Sequence, residues 1–396
     1  MTAHDPGLFL SWDYEGQPSS QPSPTILEAT FSRDELVQAL SAVQVALGDG
    51  DLGWIQLEFA EDQTVIISAQ NPTLAVRYAL KASHSQKGVL KVSGRQLLEY
   101  TKQIPQNTLS FHAELPYRVL LSSGHSSAKL HLIQGHTSTH VQAAPSDSEV
   151  RIKGTTLAPW ATSFKDLLQV DDTRFYANGA LIWVEDNCLC AVASDAVRLA
   201  HVKLNDGIQV QSAQGGRILV PRKTWEEIIR MSGQHPEDEF CLKWSEGTLS
   251  FSIESPQYLL HSKTIAGLYP PYENAIPHKL TTKIQLSVAT LAESIKRALI
   301  FADKSKVLQL AFDQNTLRLS CFTPGQKEGE EVIALDAAVE SPFDVNYNGA
   351  HLASILSVLP AGQVELHWES INRPVKITGA VRPGLEAFYL LVPTKF

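Results

Sequence analysis

Residues 32–47 read SRDELVQALSAVQVAL, an S-x-x-E capping box followed by leucine and valine at helical spacing. Residues 54–59 and 65–68 alternate between apolar and polar side chains on either side of the polar turn 60–63, which is the pattern of a β-hairpin. Ser93 then begins a second helical pattern. This stretch predicts a helix, a hairpin and a second helix in that order.

The same order of patterns occurs twice more, at a spacing of roughly 125–130 residues. In the second copy, a hairpin pattern at 181–192 is flanked by two helical patterns. The first runs through Leu157, Trp160, Phe164 and Leu167, and the second lies around Trp225. The third copy begins at Ser287 and closes with a helical pattern at Leu352. Because order and spacing both match, the sequence predicts three repeated domains of similar structure.

Turn-forming residues near 143–148 and near 277–279 interrupt the periodic segments and mark the predicted domain boundaries. Residues 17–24 read QPSSQPSP, a composition that sustains neither helix nor sheet, although an apolar cluster lies before it at 8–12. We expect a flexible N-terminal tail at 1–25 and three domains at 26–145, 146–278 and 279–396.

Composition narrows the class of protein. A chain of 396 residues with 43% hydrophobic content is long enough for two or three ordinary cores. The sequence lacks a run of about 18 apolar residues, so we expect no membrane span. The four cysteines show no C-x-x-C spacing and the first residues do not resemble a secretory signal. We therefore predict a cytoplasmic protein without a disulfide framework or a thiolate zinc site.

The charge is unevenly distributed along the chain. The formal net charge is −9, which disfavours indiscriminate binding to nucleic acid. The predicted helices and their flanks nevertheless carry an excess of basic residues, which indicates either ordinary solvated faces or a shared surface that faces phosphates. The basic residues are Arg33, Arg95, Lys102, Lys165, Arg222, Lys223, Arg230, Lys296, Arg297, Lys304 and Lys306, against Asp34, Glu35, Glu99, Asp166, Glu226, Glu227 and Glu293.

Catalytic motifs are missing from the sequence. It contains no phosphate-binding loop of the G-x-x-x-x-G-K-[ST] type, no G-x-S-x-G elbow and no H-E-x-x-H pair. Residues 126–129 match S-x-x-K, but the motifs that accompany it in hydrolases are absent. His125, His131, His136 and His140 lie on a segment with strand and loop character, which favours a structural role over zinc binding. We predict a protein that is not an enzyme, with no metal and no cofactor.

Several motifs in the second and third repeats match one family. Residues 172–179 read DTRFYANG and residues 192–200 read VASDAVRLA, against the family patterns D-x-R-Y-Y-L-N-G and V-A-T-D-G-H-R-L-A. Residues 262–272 read SKTIAGLYPPY and residues 389–396 read YLLVPTKF, again in the family's order. Residues 220–223 and 347–352 agree as well. The chain resembles the bacterial DNA polymerase III beta subunit, the sliding clamp family, over roughly residues 26–396.

The resemblance implies an architecture and a function. The fold would be α+β, with three DNA-clamp domains of two helices packed on antiparallel sheets, and a head-to-tail dimer would form a six-domain ring. Such a ring encircles duplex DNA without sequence preference and tethers the replicative polymerase for processive synthesis, as a non-catalytic processivity factor. The implied partners are duplex DNA, the alpha subunit of DNA polymerase III, the clamp loader, repair polymerases and ligase with clamp-binding motifs, and a second copy of the chain.

The resemblance also implies site residues. A groove between the second and third domains would bind partner peptides in an extended conformation. It would comprise Arg174, Ala177, Ser194, Ala196, Val197, Arg198, Leu199, Asn348, His351, Leu390, Leu391, Val392, Pro393, Thr394, Lys395 and Phe396. The DNA-binding residues would be Phe175, Tyr176, Arg222 and Lys223, and the dimer interface would use Leu130, Leu132, Ile300 and Phe301.

This sequence departs from the family pattern at the groove. Ala196 and Val197 replace glycine and histidine, His351 replaces tyrosine, and Thr394 replaces a methionine. A threonine there makes the pocket more polar than the adaptable thioether would. Asp171 places a carboxylate where the family can carry a DNA-contacting residue. An alternative is therefore a divergent clamp paralogue that acts as a protein-binding scaffold or regulator without productive DNA encirclement.

Overall fold

A computed structural model describes residues 25–48, 53–134, 141–143, 145–169, 173–321, 329–379 and 383–394. Several sequence predictions fall outside these ranges. They concern the N-terminal tail up to residue 24, His136, His140, Asp171, Lys395 and Phe396.

The described chain contains six α-helices and twenty-six strands. The helices are α1 (Arg33–Val43), α2 (Gly94–Gln103), α3 (Gly154–Thr162), α4 (Arg222–Gln234), α5 (Val288–Ala298) and α6 (Gly349–Val358). The strands of the first repeat are β1 (Thr25–Ser32), β2 (Trp54–Phe59), β3 (Thr64–Gln70), β4 (Leu74–Lys81), β5 (Ser83–His84), β6 (Gly88–Ser93), β7 (Thr108–Leu115), β8 (Arg118–Ser123) and β9 (Ser126–His131).

The second and third repeats continue in the same order. The second has β10 (Ser148–Lys153), β11 (Gly179–Glu185), β12 (Cys188–Ser194), β13 (Arg198–Leu204), β14 (Ile208–Ala213), β15 (Ile218–Pro221), β16 (Glu239–Ser245), β17 (Ser250–Glu254) and β18 (Tyr258–Lys263). The third has β19 (Thr282–Ser287), β20 (Val307–Asp313), β21 (Thr316–Cys321), β22 (Gly329–Ala334), β23 (Phe343–Asn348), β24 (Gln363–Trp368), β25 (Val375–Gly379) and β26 (Leu385–Leu391).

Four antiparallel sheets are formed by these strands. Their orders are β5-β1-β7-β8-β9, then β14-β10-β16-β17-β18-β4-β3-β2-β6, then β15-β11-β12-β13-β26-β25-β24-β19, and β22-β21-β20-β23. Each repeat thus contributes one half-sheet built on its hairpin and one half-sheet built on its first and last strands. The nine- and eight-stranded sheets each join half-sheets from two consecutive repeats, so the repeats are linked by continuous strand pairing.

The predicted α+β fold with three repeats and antiparallel sheets is confirmed. The three hairpins β2–β3, β11–β12 and β20–β21 lie where the alternating patterns predicted them. In each repeat the two helices pack together, as α1 with α2, α3 with α4 and α5 with α6. The predicted boundaries near 145 and 278 fall between named elements, and as exact limits they stay predictions.

The core of the second repeat shows how sequence and packing agree. Trp160 and Phe164 pack against Trp225, with ring centroids 5.1 and 5.3 Å from that ring, and all three side chains are fully buried. Trp225 Nε1 donates a hydrogen bond to the carbonyl oxygen of Ala161 at 2.9 Å. The aromatic stripe therefore fixes α4 against α3.

Two local predictions were wrong. The hydroxyl of Ser32 accepts no capping hydrogen bond, whereas Ser93 and Ser287 do cap their helices. The helical stripe of the second repeat was predicted to continue through Leu167, but α3 ends at Thr162. Thr162 and Ser163 turn their hydroxyls back to carbonyl oxygens four residues earlier, and the chain leaves the helix there.

Within the described ranges, none of the helices is both long enough and apolar enough to span a membrane.

Candidate functional site

The pairing of β13 with β26 builds the junction between the second and third repeats. Arg198 lies opposite Leu391 and Leu199 lies opposite Leu390, although nearly 200 residues separate the partners in sequence. This register brings the β12–β13 turn of the second repeat beside the C-terminal strand of the third. The predicted groove residues from both repeats therefore meet at one place.

The turn between β12 and β13 is organised by a carboxylate. Asp195 is buried, and its Oδ1 accepts hydrogen bonds from the backbone N–H groups of Val197 at 3.0 Å and Arg198 at 2.9 Å. The hydroxyl of Ser194 accepts a further bond from the N–H of Ala196 at 3.1 Å. Ala196 occupies the left-handed region with φ of 74°, which glycine adopts without steric cost and alanine does not.

Arg198 forms hydrogen bonds within the protein and does not present an exposed side chain to the predicted groove. Its guanidinium is only 6% exposed, and Nε donates to Asp195 Oδ2 at 2.8 Å. Its two terminal nitrogens donate to the carbonyl oxygen of Asp166 and to the hydroxyl of Ser354 on α6. One side chain thus joins the turn, the segment after α3 and a helix of the third repeat. Burial leaves little of it available to a bound peptide.

The N-terminus of α6 supplies two predicted groove residues. Asn348 Oδ1 accepts hydrogen bonds from the backbone N–H groups of Ala350 at 3.0 Å and His351 at 3.1 Å, which caps the helix. The His351 side chain is half-buried, and its Nδ1 has no hydrogen-bond partner among the described residues. Burial, and next the neighbouring Arg198 charge, lower the pKa of His351. Both causes favour the neutral form of this imidazole, which lies beside the predicted groove.

The segment after β26 links the two repeats beside the predicted groove. After β26, the N–H of Val392 donates to the carbonyl oxygen of Val197 at 2.9 Å, and the N–H of Thr394 donates to that of Asn346 at 2.8 Å. Val392 and Val197 are exposed, while Pro393 and Thr394 are partly exposed. The described C-terminal segment is thus held between the turn of the second repeat and β23 of the third.

Exposure divides the predicted groove residues into two sets. Ala177, Arg198, Leu199, Leu390 and Leu391 are buried and present little surface to a peptide. The other described members of the predicted set have exposed or partly exposed side chains. These are Arg174, Ser194, Ala196, Val197, Asn348, His351, Val392, Pro393 and Thr394.

The four predicted DNA-binding residues lie at one end of the β11–β15 strand pair. Gly179 pairs with Pro221, which places the short 3₁₀ segment Phe175–Asn178 beside the start of α4. Phe175 is 39% exposed and its ring packs edge-on to Tyr176 at 6.1 Å. Arg222 Nε contacts Glu226 Oε1 at 2.6 Å, whereas Lys223 is exposed.

The predicted dimer residues lie at two sheet edges at opposite ends of the chain. Leu130 is on β9 and is buried in its own domain, and Leu132 follows it half-buried. Ile300 is 75% exposed, and Phe301 contacts Gly329 at the start of β22. β9 and β22 are terminal strands of their sheets among the described residues.

Sequence reasoning missed the residues that shape the groove from within. Asp195 belongs to the motif at 192–200 but to none of the predicted sites, and Ser354 and Asp166 lie outside those sites as well. The D-x-x-R spacing of Asp195 and Arg198 was a usable signal, because a turn carboxylate commonly bonds backbone N–H groups two and three residues on. Nothing in the sequence places Ser354 beside Arg198, since that contact depends on domain packing.

Comparisons with known proteins identify the family. Residues 162–271 match the central domain of the DNA polymerase III beta subunit, and residues 273–393 match its C-terminal domain. The chain belongs to the DNA polymerase III beta subunit family. The prediction of a non-catalytic processivity factor agrees with this family, whose members are polymerase subunits and not enzymes.

Curated relatives match this chain along most of its length. The beta sliding clamp of Vibrio cholerae is 21% identical over 375 residues, covering 93% of this chain and 100% of that protein. The beta sliding clamp of Escherichia coli is 23% identical over 378 residues with the same coverage.

Solved structures show the same fold. A DnaN sliding clamp from Pseudomonas aeruginosa bound to griselimycin superposes with a TM-score of 0.84 at 20% identity, covering 94% of this chain and 100% of that one. The beta subunit from Thermotoga maritima gives a TM-score of 0.83 at 18% identity, covering 93% and 100%. The family fold is thus retained at low sequence identity.

Proposed function

We propose that this chain works as a DNA sliding clamp. Two copies join head to tail into a six-domain ring around duplex DNA, and the ring tethers the replicative polymerase for processive synthesis. A ring holds DNA by topology, so it needs only weak contacts to phosphates that permit sliding.

The observation that carries this proposal is the repeated geometry of the two junctions within the chain. At the first junction β4, the third strand of a hairpin half-sheet, pairs with β18, the last strand of the next repeat. At the second junction β13 pairs with β26, which are the corresponding strands one repeat further on. The rule at both junctions is that the outer strand of a hairpin half-sheet pairs with the last strand of the next repeat. Among the described strands, β22 and β9 are of these two types and do not have such a partner.

A second copy satisfies the same rule. Pairing β22 of one protomer with β9 of its partner joins a four-stranded and a five-stranded sheet into a nine-stranded one, as β4 and β18 do within the chain. The pairing is heterologous, so two copies form a closed ring only if the rotations between repeats sum to a full turn. Exposed Ile300 and Val332 beside the β22 edge supply apolar surface for the contact.

The helices supply a surface suited to phosphates. Arg95, Lys165, Lys223, Lys296 and Lys304 are exposed on or near four helices, α2, α3, α4 and α5, although the chain as a whole carries a charge of −9. An acidic exterior with basic helices limits binding to DNA outside the ring. We propose Phe175, Tyr176, Arg222 and Lys223 as further DNA contacts.

The groove at the β13–β26 junction is the proposed binding site for partner peptides. Its exposed valines, proline and the neutral His351 suit an extended apolar motif. The proposed partners are the alpha subunit of DNA polymerase III, the clamp loader, and repair polymerases and ligase with clamp-binding motifs. Thr394 and His351 make this groove more polar than the family pattern, so we expect its preferred peptide to differ.

Retention on DNA tests the proposal. The purified protein is loaded with clamp loader and ATP onto nicked circular DNA, and bound protein is measured before and after the circle is linearised. A sliding clamp stays on the circle and is lost from the linear form. A dimer that is never retained, beside a control clamp that loads, would instead support the scaffold paralogue, which the match to beta sliding clamps does not favour.

A further inference from the structure

The outer edge of β19 distinguishes the third repeat from the other two. In the first repeat β5 pairs with the outer edge of β1, and in the second β14 pairs with that of β10. β19 is the corresponding strand of the third repeat, and it ends the eight-stranded sheet. Among the described residues no strand covers this edge.

The reason lies in the loop that supplies the covering strand. β5 and β14 belong to the segments that connect the hairpin half-sheet to the strand before the second helix. The corresponding segment 335–342 forms its hydrogen bonds with the turn between β20 and β21. The N–H of Leu335 donates to the carbonyl oxygen of Asn315, and the N–H of Val339 donates to that of Gln314, both at 2.8 Å. These bonds hold the loop on the β20–β21 turn, so it does not pair with β19.

A groove of about 560 Å³ separates the loop from the strand. One wall is the segment 281–285, which includes the edge of β19, and the other is the segment 335–341. Val339 is buried and anchors the second wall. The groove therefore lies where a covering strand lies in the other two repeats.

The backbone of β19 presents hydrogen-bonding groups to this groove. The N–H of Val288 donates to Gly362 at 2.9 Å, in register with the pairs Ile284–Leu366 and Leu286–Val364. Because bonding alternates along an antiparallel strand, Ile284 and Leu286 bond to β24, and Lys283 and Gln285 direct their N–H and C=O groups outward. Such an edge is a template for another strand.

Charge indicates which strand would fit. Asp336 and Glu340 are exposed on the loop wall, and neither forms an ion pair with another described residue. The cation among the residues that line the groove, Lys283, is already paired through Nζ with Glu365 Oε1 at 2.7 Å. The free charges of the groove are therefore negative, which complements lysine or arginine on the incoming segment.

We propose that the groove between β19 and the loop 335–341 binds an extended basic segment of a partner protein by strand addition. Backbone bonds to Lys283 and Gln285 provide affinity, and contacts to Asp336 and Glu340 provide selectivity for basic side chains. The site is distinct from the groove at β26, since β25 and β24 lie between and strands are spaced about 4.8 Å apart. It does not depend on ring formation.

The first experiment uses a defined probe. A fluorescein-labelled seven-residue peptide of alternating valine and lysine is titrated against the full chain, and binding is followed by fluorescence anisotropy and amide hydrogen exchange. We expect slower exchange at Lys283 and Gln285, with Ile284 and Leu286 slow before and after addition. The same peptide with N-methyl groups on alternate amides, on the edge that faces β19, should bind at least tenfold more weakly.

Two variants of the chain separate the backbone and charge contributions. Gln285→Pro removes an outward N–H without breaking the β19–β24 bonds, and it should weaken probe binding at least tenfold while leaving the melting temperature near that of the wild type. Asp336→Lys/Glu340→Lys should reverse the preference, so that a valine–glutamate peptide binds better than the valine–lysine one. Asp34→Lys/Glu237→Lys, which reverses two exposed carboxylates outside this groove, is the matched control and should not.

Three results would overturn the proposal. One is probe binding that neither Gln285→Pro nor the charge reversal changes. Another is protection located at β9 or β22 in place of β19. A third is protection of Lys283 and Gln285 in the free chain that disappears when residues 1–24 are deleted, because the occupant would then be the chain's own N-terminal segment.

Discussion

Arg198 joins the second and third repeats through hydrogen bonds of a buried side chain. Its ion pair with Asp195 is buried, and its terminal nitrogens reach Asp166 and Ser354. Removing one partner of a buried pair leaves the other charge without compensation. The side chain was predicted to contact a peptide, whereas the structure gives it a bonding role beneath the groove.

Arg198→Ala should lower the free energy of unfolding by about 3–5 kcal/mol, because Asp195 would remain buried without its partner. Urea denaturation measures the change. Arg373→Ala is the control, since Arg373 pairs with Glu369 at 3.9 Å on an exposed surface and its loss should cost less than about 1 kcal/mol. Equal effects of the two substitutions would contradict this role for Arg198.

His351 makes stability depend on pH. Its pKa in the folded chain is lowered from the usual 6.5, chiefly by burial, so the unfolded chain binds the proton more readily. The contribution of His351 to the stability of the folded chain is therefore fully present above pH 6.5. It is lost as the pH falls through the lowered pKa of the folded state. His351→Gln should therefore lose less stability than the wild type between pH 7.5 and 5. Urea midpoints at the two pH values test this, and identical losses would refute it.

At the scale of elements, the hairpins and most helices follow from periodicity. The β12–β13 turn has a residue that is less suited to its backbone conformation than glycine. Ala196 adopts a positive φ at a position where the family pattern has glycine. The strain is retained because Asp195 and Ser194 bond to the turn backbone. Together, these three hydrogen bonds to the turn outweigh the steric cost of one alanine in the left-handed region.

Ala196→Gly should stabilise the chain by about 0.5–1 kcal/mol, since relief of the left-handed strain exceeds the greater entropy of the unfolded glycine. Thermal unfolding measures the gain. Ala193→Gly, in the interior of β12, should have the opposite sign because glycine weakens a buried strand. A loss of stability at both positions would show that the turn is not strained.

At the scale of the whole molecule, the strand pairing between repeats is the basis for the dimer that we expect. The junctions β4–β18 and β13–β26 obey one rule, and β22 with β9 is the pair that remains. A dimer of 43.5 kDa chains is therefore expected to depend on these two edges. The apolar side chains beside β22 would be covered in that dimer.

Ile300→Asp/Val332→Asp should convert the dimer to monomers, because two carboxylates would be buried against β9 of the partner. Sedimentation velocity distinguishes the two masses, and circular dichroism checks that the chain is folded. Leu249→Asp, at an exposed turn between β16 and β17, is the matched control and should remain dimeric. A dimer that persists in the double variant would place the interface elsewhere.

The sequence by itself determined the three repeats, their hairpins and the family, because periodicity and motif spacing depend on residues close together in the chain. The end of α3 escaped prediction, since Thr162 and Ser163 compete locally for carbonyl oxygens that an apolar stripe does not reveal. Only the tertiary structure decided which groove residues are open, that Arg198 bonds to Ser354, and that β19 has an uncovered edge. Each of these depends on hydrogen bonds between segments far apart in sequence, whose partners no local pattern specifies.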